Sequence, residues 1–223
     1  MKVLAFDTTN NLSIALAEDQ RIFSKIVISE TGKQAELLIP EIEKILRENK
    51  IWYQDLDLIC TTQGPGSFTG VRIGITAARA LKLATNLPLI MPNSLETLAY
   101  KYRNSDKIIF VTIDARMDEF FVASFVSQNG KLLPILEPQI ATPENLADLA
   151  PKENFLLCGS GKKIVCDLLL KKNLRYETAP EDESIDANLL ALLALEKFTN
   201  NKTENTNKDP IYLRSPKISE RKK

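Results

Sequence analysis

Apolar and polar residues follow each other along this chain in a pattern that predicts strands first and a helix afterwards. Short apolar runs separated by polar turns open the sequence, and the first run ends at Asp7. Such runs are typical of β-strands, so residues 3–28 predict a three-stranded meander. Apolar residues then recur every three or four positions over residues 34–49, which predicts an amphipathic helix. Pro40 falls within it, so the helix either begins near Leu37 or bends at the proline.

The remainder of the first hundred residues predicts a strand, a loop and two helices. The strand is expected at 56–62, the glycine-rich loop at 64–70 and the first of these helices at 71–84. Asn93 begins a capping box, which predicts a shorter helix through Tyr102.

The same order of elements then returns. Three strands, a helix that Thr142 would cap, a further strand and a further helix are predicted. The strands are expected at residues 108–113, 120–126, 132–137 and 155–158, and the second of these helices at 164–170.

A duplicated unit of three strands, helix, strand and helix is the pattern of the actin-like ATPase superfamily, in which each half is ribonuclease-H-like. We therefore predict an α/β protein with two such halves, at residues 1–103 and 104–223, which meet near residues 91–103. A last helix at 186–198 should pack back onto the body, with a polar linker after it at 200–208.

Composition removes several classes of function. The 223 residues include no histidine, so serine–histidine and cysteine–histidine nucleophile pairs and histidine-bearing zinc sites cannot be built from this chain alone. The 29 basic and 29 acidic residues cancel, so no net field favours direct binding of RNA. Three cysteines in or beside apolar stretches, Cys60, Cys158 and Cys166, are expected to be reduced and mostly buried.

The compartment can also be predicted. The first apolar run turns polar at Asp7, which is too early for the core of a signal peptide, and no later run approaches the length of a membrane span. We expect a cytoplasmic protein.

The loop at 64–70 is the first candidate site. A glycine loop before a helix can hold an anion, but a P-loop would need lysine where Val71 stands, and Ser67 has no histidine base. The small residues Gly70, Gly74 and Ala78 fall four apart and favour a close helix contact over phosphate binding. Four of the eight glycines of the chain lie in this stretch, namely Gly64, Gly66, Gly70 and Gly74.

Two aspartates form the second candidate site. Asp7 and Asp114 each close the first strand of their half, where active members of the superfamily hold metal or phosphate. The loop after Asp114 lacks glycine, and Arg116 could form an ion-pair cluster there with Asp118 and Glu119. We favour structural or interface roles, and a degenerate nucleotide cleft remains the alternative.

Four segments together resemble the TsaB family: LAFDTT at the start, GPGSFTGVRIG in the glycine loop, IDARMDEFF in the second half and PIYLR near the end. The resemblance implies a duplicated actin-like fold with no catalysis, cofactor or metal of its own. It also implies a TsaD-like catalytic partner, a TsaE-like ATPase in a larger complex, homodimers in isolation, and transfer RNA reached only through the complex.

The chain departs from the family at Gln34, because TsaB proteins commonly have histidine there. Glutamine hydrogen-bonds but does not titrate near neutral pH. TsaD-like transferases hold their metal through a helical histidine pair, which this first helix lacks.

We predict that the first two helices form the partner surface, because both carry apolar and charged positions on neighbouring faces. A different class of function stays open: an ATP-dependent phosphotransferase or hydrolase with Asp7 and Asp114 at its nucleotide cleft. The residues predicted to bind the partner are Leu37, Leu38, Glu41, Ile45, Val71, Arg72, Ile75 and Arg79.

Overall fold

A computed structural model describes residues 1–19, 21–28, 32–180, 184–200 and 209–214. The predicted polar linker, from residue 201 onward, and the basic end at 215–223 lie outside the described residues. Among the described residues, no helix is both long and apolar enough to span a bilayer.

The described chain folds into two five-stranded sheets with helices on their faces. The elements of the first half are β1 (Lys2–Asp7), β2 (Leu12–Glu18), β3 (Arg21–Ile28), α1 (Gln34–Glu48), β4 (Leu58–Thr61), α2 (Phe68–Thr85), β5 (Leu89–Ile90) and α3 (Ser94–Tyr100). Those of the second half are β6 (Ile108–Arg116), β7 (Glu119–Gln128), β8 (Lys131–Ala141), α4 (Leu146–Leu149), β9 (Phe155–Cys158), α5 (Lys162–Leu170), β10 (Tyr176–Thr178) and α6 (Ala187–Asn200).

The two sheets have the same topology. The first runs β3-β2-β1-β4-β5, and the second runs β8-β7-β6-β9-β10, so each half adds two parallel strands to an antiparallel meander. In both sheets the first strand of the half pairs antiparallel with the second strand and parallel with the fourth. The duplicated ribonuclease-H-like fold predicted from the sequence is confirmed.

The last helix of each half lies on the sheet of the other half. The α3 residues Leu95 and Leu98 are buried with residues of the second sheet, such as Val111. The α6 residues Leu190 and Ala194 are buried against the first sheet, with residues of β1, β4 and β5. Burial of apolar surface is the main stabilising term in folding, so this exchange holds the two halves together.

Several boundaries differ from the predicted ones. The first helix starts at Gln34, as the periodicity predicts, and continues through Pro40, which rules out the alternative of a later start near Leu37. The second helix begins at Phe68, three residues before its predicted start, because the Ser67 hydroxyl accepts a hydrogen bond from the Gly70 amide at 3.3 Å and caps it.

The second half also departs in detail. Helix α4 begins at Leu146 and is not capped by Thr142, because the Asn145 side chain instead accepts a hydrogen bond from the Thr142 amide. The short strands β5 and β10 were not predicted, since two or three residues carry no readable periodicity. Cys60 and Cys158 are buried and Cys166 is partly buried, and all three are free thiols, as predicted.

The helix exchange makes a testable prediction about stability. Leu190→Ala should lower the free energy of unfolding by about 3 kcal/mol, because it leaves a cavity between α6 and the first sheet. Leu170→Ala is the matched control: that leucine is 65% exposed on α5 and its truncation should cost less than about 0.5 kcal/mol. Urea denaturation compares the two variants, and equal losses would contradict the described position of α6.

Candidate functional site

The start of α2 lies against the end of β1 with no room for a side chain between them. A Cβ atom added to Gly70 would lie 2.2 Å from the Thr8 carbonyl oxygen. A Cβ atom on Gly74 would lie 2.8 Å from the Thr8 hydroxyl and 2.9 Å from that of Thr61. The Thr8 hydroxyl donates a hydrogen bond to the Gly70 carbonyl at 2.7 Å. Both glycines are therefore accounted for by contact between helix and strand.

The loop before α2 is enclosed in a similar way. Gly64 has φ +93°, a conformation that favours glycine, and a Cβ atom there would lie 3.2 Å from the Ile211 carbonyl oxygen. A Cβ atom on Gly66 would lie 3.0 Å from the Thr9 Cβ. The loop is thus held between the β1–β2 connection on one side and the C-terminal segment on the other.

Asp7 is enclosed and does not face the space between the halves. One carboxylate oxygen accepts hydrogen bonds from the Thr9 amide at 3.1 Å and the Thr9 hydroxyl at 2.8 Å, and the other accepts from the Thr62 hydroxyl at 2.5 Å. Burial raises the pKa of Asp7 from 3.8 to about 6, against the opposing effect of these hydrogen bonds. The carboxylate joins the β1–β2 connection to the end of β4.

Asp114 lies in a different environment, at the border of the cleft between the halves. Its carboxylate accepts a hydrogen bond from the Arg116 amide at 2.7 Å, and its own amide donates to the Ser160 hydroxyl at 3.3 Å. Residues 116–118 all have positive φ angles, so a tight left-handed turn follows the aspartate. The two aspartates therefore do not line one common cleft.

The predicted ion-pair cluster after Asp114 needs correction. Glu119 pairs with Arg214, 95 residues further along the chain, and the Arg116 side chain is exposed. Arg214 also donates to the carbonyl oxygens of Ala115 at 3.2 Å and Arg116 at 3.1 Å. The C-terminal segment, not a local cluster, thus holds this turn.

The cleft between the halves has a volume of about 1100 Å³. Gln34 stands at its edge, where the side-chain nitrogen donates to the Asn10 carbonyl at 2.7 Å and the side-chain oxygen accepts from the Gly32 amide at 3.0 Å. Gln34 therefore holds the neighbouring backbone at Asn10 and Gly32 in place. Residues 211–214 complete one wall, and we term the segment of residues 209–214 the strap.

The predicted partner residues divide into two groups. Leu38, Ile45, Val71 and Ile75 are at most 2% exposed in the core of the first half, so they cannot contact a partner in this conformation, and we correct the prediction for them. Leu37, Glu41 and Arg79 are partly buried and Arg72 is exposed. The helical periodicity correctly identified an apolar face on each helix, but in the structure that face packs into the core of the first half and not against a partner.

Sequence reasoning missed two exposed aromatic residues beside Arg72. Phe68 and Tyr212 are each 42% exposed, with ring centroids 5.1 Å apart. The PIYLR segment contained a signal for Tyr212, but its contact with α2 depends on the fold.

Two sheets of identical order, with helices on both faces and a cleft between the halves, define a protein of the duplicated ribonuclease-H-like fold. The sequence matches, over residues 22–207, the family model of "TsaD: tRNA N6-adenosine threonylcarbamoyltransferase". The chain belongs to the TsaB family of tRNA threonylcarbamoyladenosine biosynthesis proteins, within the wider family that this model describes.

Individual relatives support the assignment. The chain is 28% identical to the "tRNA threonylcarbamoyladenosine biosynthesis protein TsaB" of Escherichia coli, over 96% of this chain and 95% of that protein. It is 33% identical to the TsaB protein of Bacillus subtilis, where the match spans 62% of this chain and 61% of that protein. The solved structure of YeaZ from Pseudomonas aeruginosa superposes with a TM-score of 0.80 at 26% identity, covering 95% of this chain and 99% of that one.

The contact between α2 and β1 predicts that adding one methyl group at Gly70 greatly lowers the stability of the protein. Gly70→Ala should destabilise the protein by several kcal/mol, because the new atom meets backbone that cannot move without disturbing β1. Thr69→Ala, at an exposed neighbouring position, should change stability by less than about 0.5 kcal/mol. Thermal and urea unfolding measure both, and a stable Gly70→Ala variant would show that helix and strand are further apart than described.

The raised pKa of Asp7 predicts a pH dependence of stability. Since the folded state binds this proton more tightly than the unfolded state, the free energy of unfolding should fall as pH rises from about 4 to 6. The rise in pKa corresponds to about 3 kcal/mol, lost by pH 7. Asp7→Asn should remove this component, because the amide can replace the carboxyl among the threonine groups without ionising.

Urea unfolding at pH values from 4 to 7 makes the comparison, with Asp114→Asn as a control carboxylate at the cleft border. Parallel curves for wild type and Asp7→Asn across this range would contradict the buried position of the carboxylate.

Proposed function

We propose that this chain is a non-catalytic subunit of the tRNA N6-threonylcarbamoyladenosine transferase complex, and that it binds and activates a TsaD-like catalytic subunit. Its family membership supports a place in threonylcarbamoyladenosine biosynthesis. The match to the TsaD family model supports a partner of related fold, because related surfaces can join as a pseudo-symmetric pair.

One surface feature carries the proposal: an uncharged stripe runs along α2 over three turns, bordered by Arg72 and Arg79. Leu83 is 88% exposed, with the exposed Ala80 and Ala84 beside it and Arg79 one turn before it. Ile39, on the neighbouring helix α1, is 39% exposed. Exposed uncharged faces of this kind mark protein-binding surfaces. This stripe, which we term the α2 face, consists of the exposed residues Thr76, Ala80, Leu83 and Ala84 and of Ile73 and Ala77, which are partly buried against the core.

The remaining predicted partner residues lie around this face. Leu37, Glu41, Arg72 and Arg79 are at least partly exposed on α1 and α2, so they form the rim of the proposed interface. The same face would serve a homodimer when the catalytic subunit is absent, because an uncharged helix surface can pack against its own copy. A TsaE-like ATPase, and transfer RNA reached through the complex, complete the proposed cytoplasmic assembly.

The alternative of a phosphotransferase or hydrolase has less support. The Asp7 carboxylate is enclosed and fully occupied by threonine groups, and the glycine loop is filled by contacts within the chain. Nucleotide hydrolysis by the isolated protein, abolished by Asp7→Asn, would favour that alternative.

The proposal is tested by mixing this protein with a purified TsaD-like subunit and measuring complex mass and transferase activity together. Leu83→Lys should weaken binding at least tenfold and reduce activity in parallel, because it buries a charge in an apolar interface. Leu170→Lys is the matched control, since that leucine is exposed on α5 in the other half.

Ile75→Lys would not test the interface, because Ile75 is 2% exposed and a charge there would disturb the core. Wild-type protein that forms no complex with the TsaD-like subunit would refute the proposed function. Equal binding by the two lysine variants would remove the α2 face from the interface.

A further inference from the structure

The strap, residues 209–214, is bound along its first part to the glycine loop and α2. The Ile211 amide donates to the Gln63 carbonyl at 2.9 Å, and the Gln63 side chain donates to the Asp209 carbonyl at 2.5 Å. Asp209 also lies 3.5 Å from the Arg79 guanidinium. The strap therefore follows the loop that precedes α2.

The last part of the strap is bound to the other half. Leu213 packs against the core cluster of the second sheet. Arg214 forms the ion pair with Glu119 and hydrogen bonds to the two carbonyl groups at the left-handed turn. The strap thus crosses the cleft and is fastened at both ends, which restricts the position of Tyr212 between them.

Tyr212 and Phe68 hold the Arg72 side chain in one orientation. The Arg72 Nε donates to the Tyr212 hydroxyl at 2.9 Å, and the guanidinium carbon lies 3.8 Å from the centre of the Phe68 ring. Stacking on an aromatic face and a hydrogen bond at Nε together fix the plane of the guanidinium.

The terminal nitrogens of Arg72 are left available. Arg72 is exposed, and over the described ranges it has no ion pair and no hydrogen bond other than the one to Tyr212. A fixed guanidinium with outward N–H groups matches the two oxygens of a carboxylate. Fixing it before binding also lowers the entropy lost on association.

Arg72 lies one residue before Ile73, at the end of the α2 face nearest the cleft. A partner that covers the α2 face therefore reaches the guanidinium as well. Resting on the proposed function, we infer that the strap holds Arg72 to receive an aspartate or glutamate side chain of the TsaD-like subunit. Tyr212 and Arg214 are then positioning residues of the partner site, although Arg214 is anchored in the other half.

The experiment measures affinity for the purified TsaD-like subunit by calorimetry at two salt concentrations. Arg72→Gln should weaken binding about tenfold and reduce its salt dependence, because one charged contact is lost. Tyr212→Phe keeps the ring but removes the hydroxyl, and should weaken binding about threefold. In the Arg72→Gln background the Tyr212→Phe change should have no further effect, since Tyr212 acts through Arg72.

Glu119→Gln tests the remote anchor and should weaken binding by a factor of two to three, with Arg175→Gln as the control for a change of surface charge in the second half. Hydrogen exchange of the full chain supplies a readout that needs no partner: Glu119→Gln should reduce protection at the Ile211 amide, and Arg175→Gln should not.

The outcomes separate this inference from the proposed function. If wild type binds the TsaD-like subunit and Arg72→Gln binds equally well, the carboxylate contact is refuted while the proposed function stands. If Arg72→Gln weakens binding but Tyr212→Phe has the same effect in both backgrounds, the strap is not a positioning element. If wild type does not bind at all, the proposed function itself fails.

Discussion

The structure of the first half depends on the contact between α2 and the end of β1. Because Gly70 has no side chain, the helix approaches the Thr8 carbonyl more closely than any other residue would allow. This contact determines which side of α2 turns inward, so Val71 and Ile75 join the core while Arg72 and Thr76, the residues that follow them, are exposed. The uncharged α2 face and the exposed Arg72 are consequences of the same contact.

The two halves are joined by three connections that differ in chemistry. Helix α3 lies on the second sheet and α6 on the first, and these are apolar contacts that burial stabilises. The strap adds polar contacts at Gln63, Arg72 and Glu119 across the mouth of the cleft. The six residues of the strap therefore connect the turn at Glu119, on one side of the cleft, to the exposed surface of α2.

Asp7 and the glycine loop, two candidate positions for a ligand, are occupied here by contacts within the chain. The Asp7 carboxylate accepts three hydrogen bonds from threonine residues, and the glycine loop is covered by Thr9 and Ile211. The Asp7 carboxylate and the glycine loop instead form contacts that hold the first strand, the loop and the strap together. This use of the fold supports the proposed role as a binding subunit.

The sequence alone determined the duplicated fold and the family, because a repeated order of strands and helices and the run GPGSFTGVRIG are properties of neighbouring residues. It also indicated that Gly70 and Gly74 favour a close contact. It did not determine that Leu38 and Ile75 are buried, since a period of three to four residues identifies an apolar face without saying what covers that face. The pairing of Arg214 with Glu119, and of Tyr212 with Arg72, arose only from the tertiary structure, because it joins residues about a hundred or more positions apart that no local pattern relates.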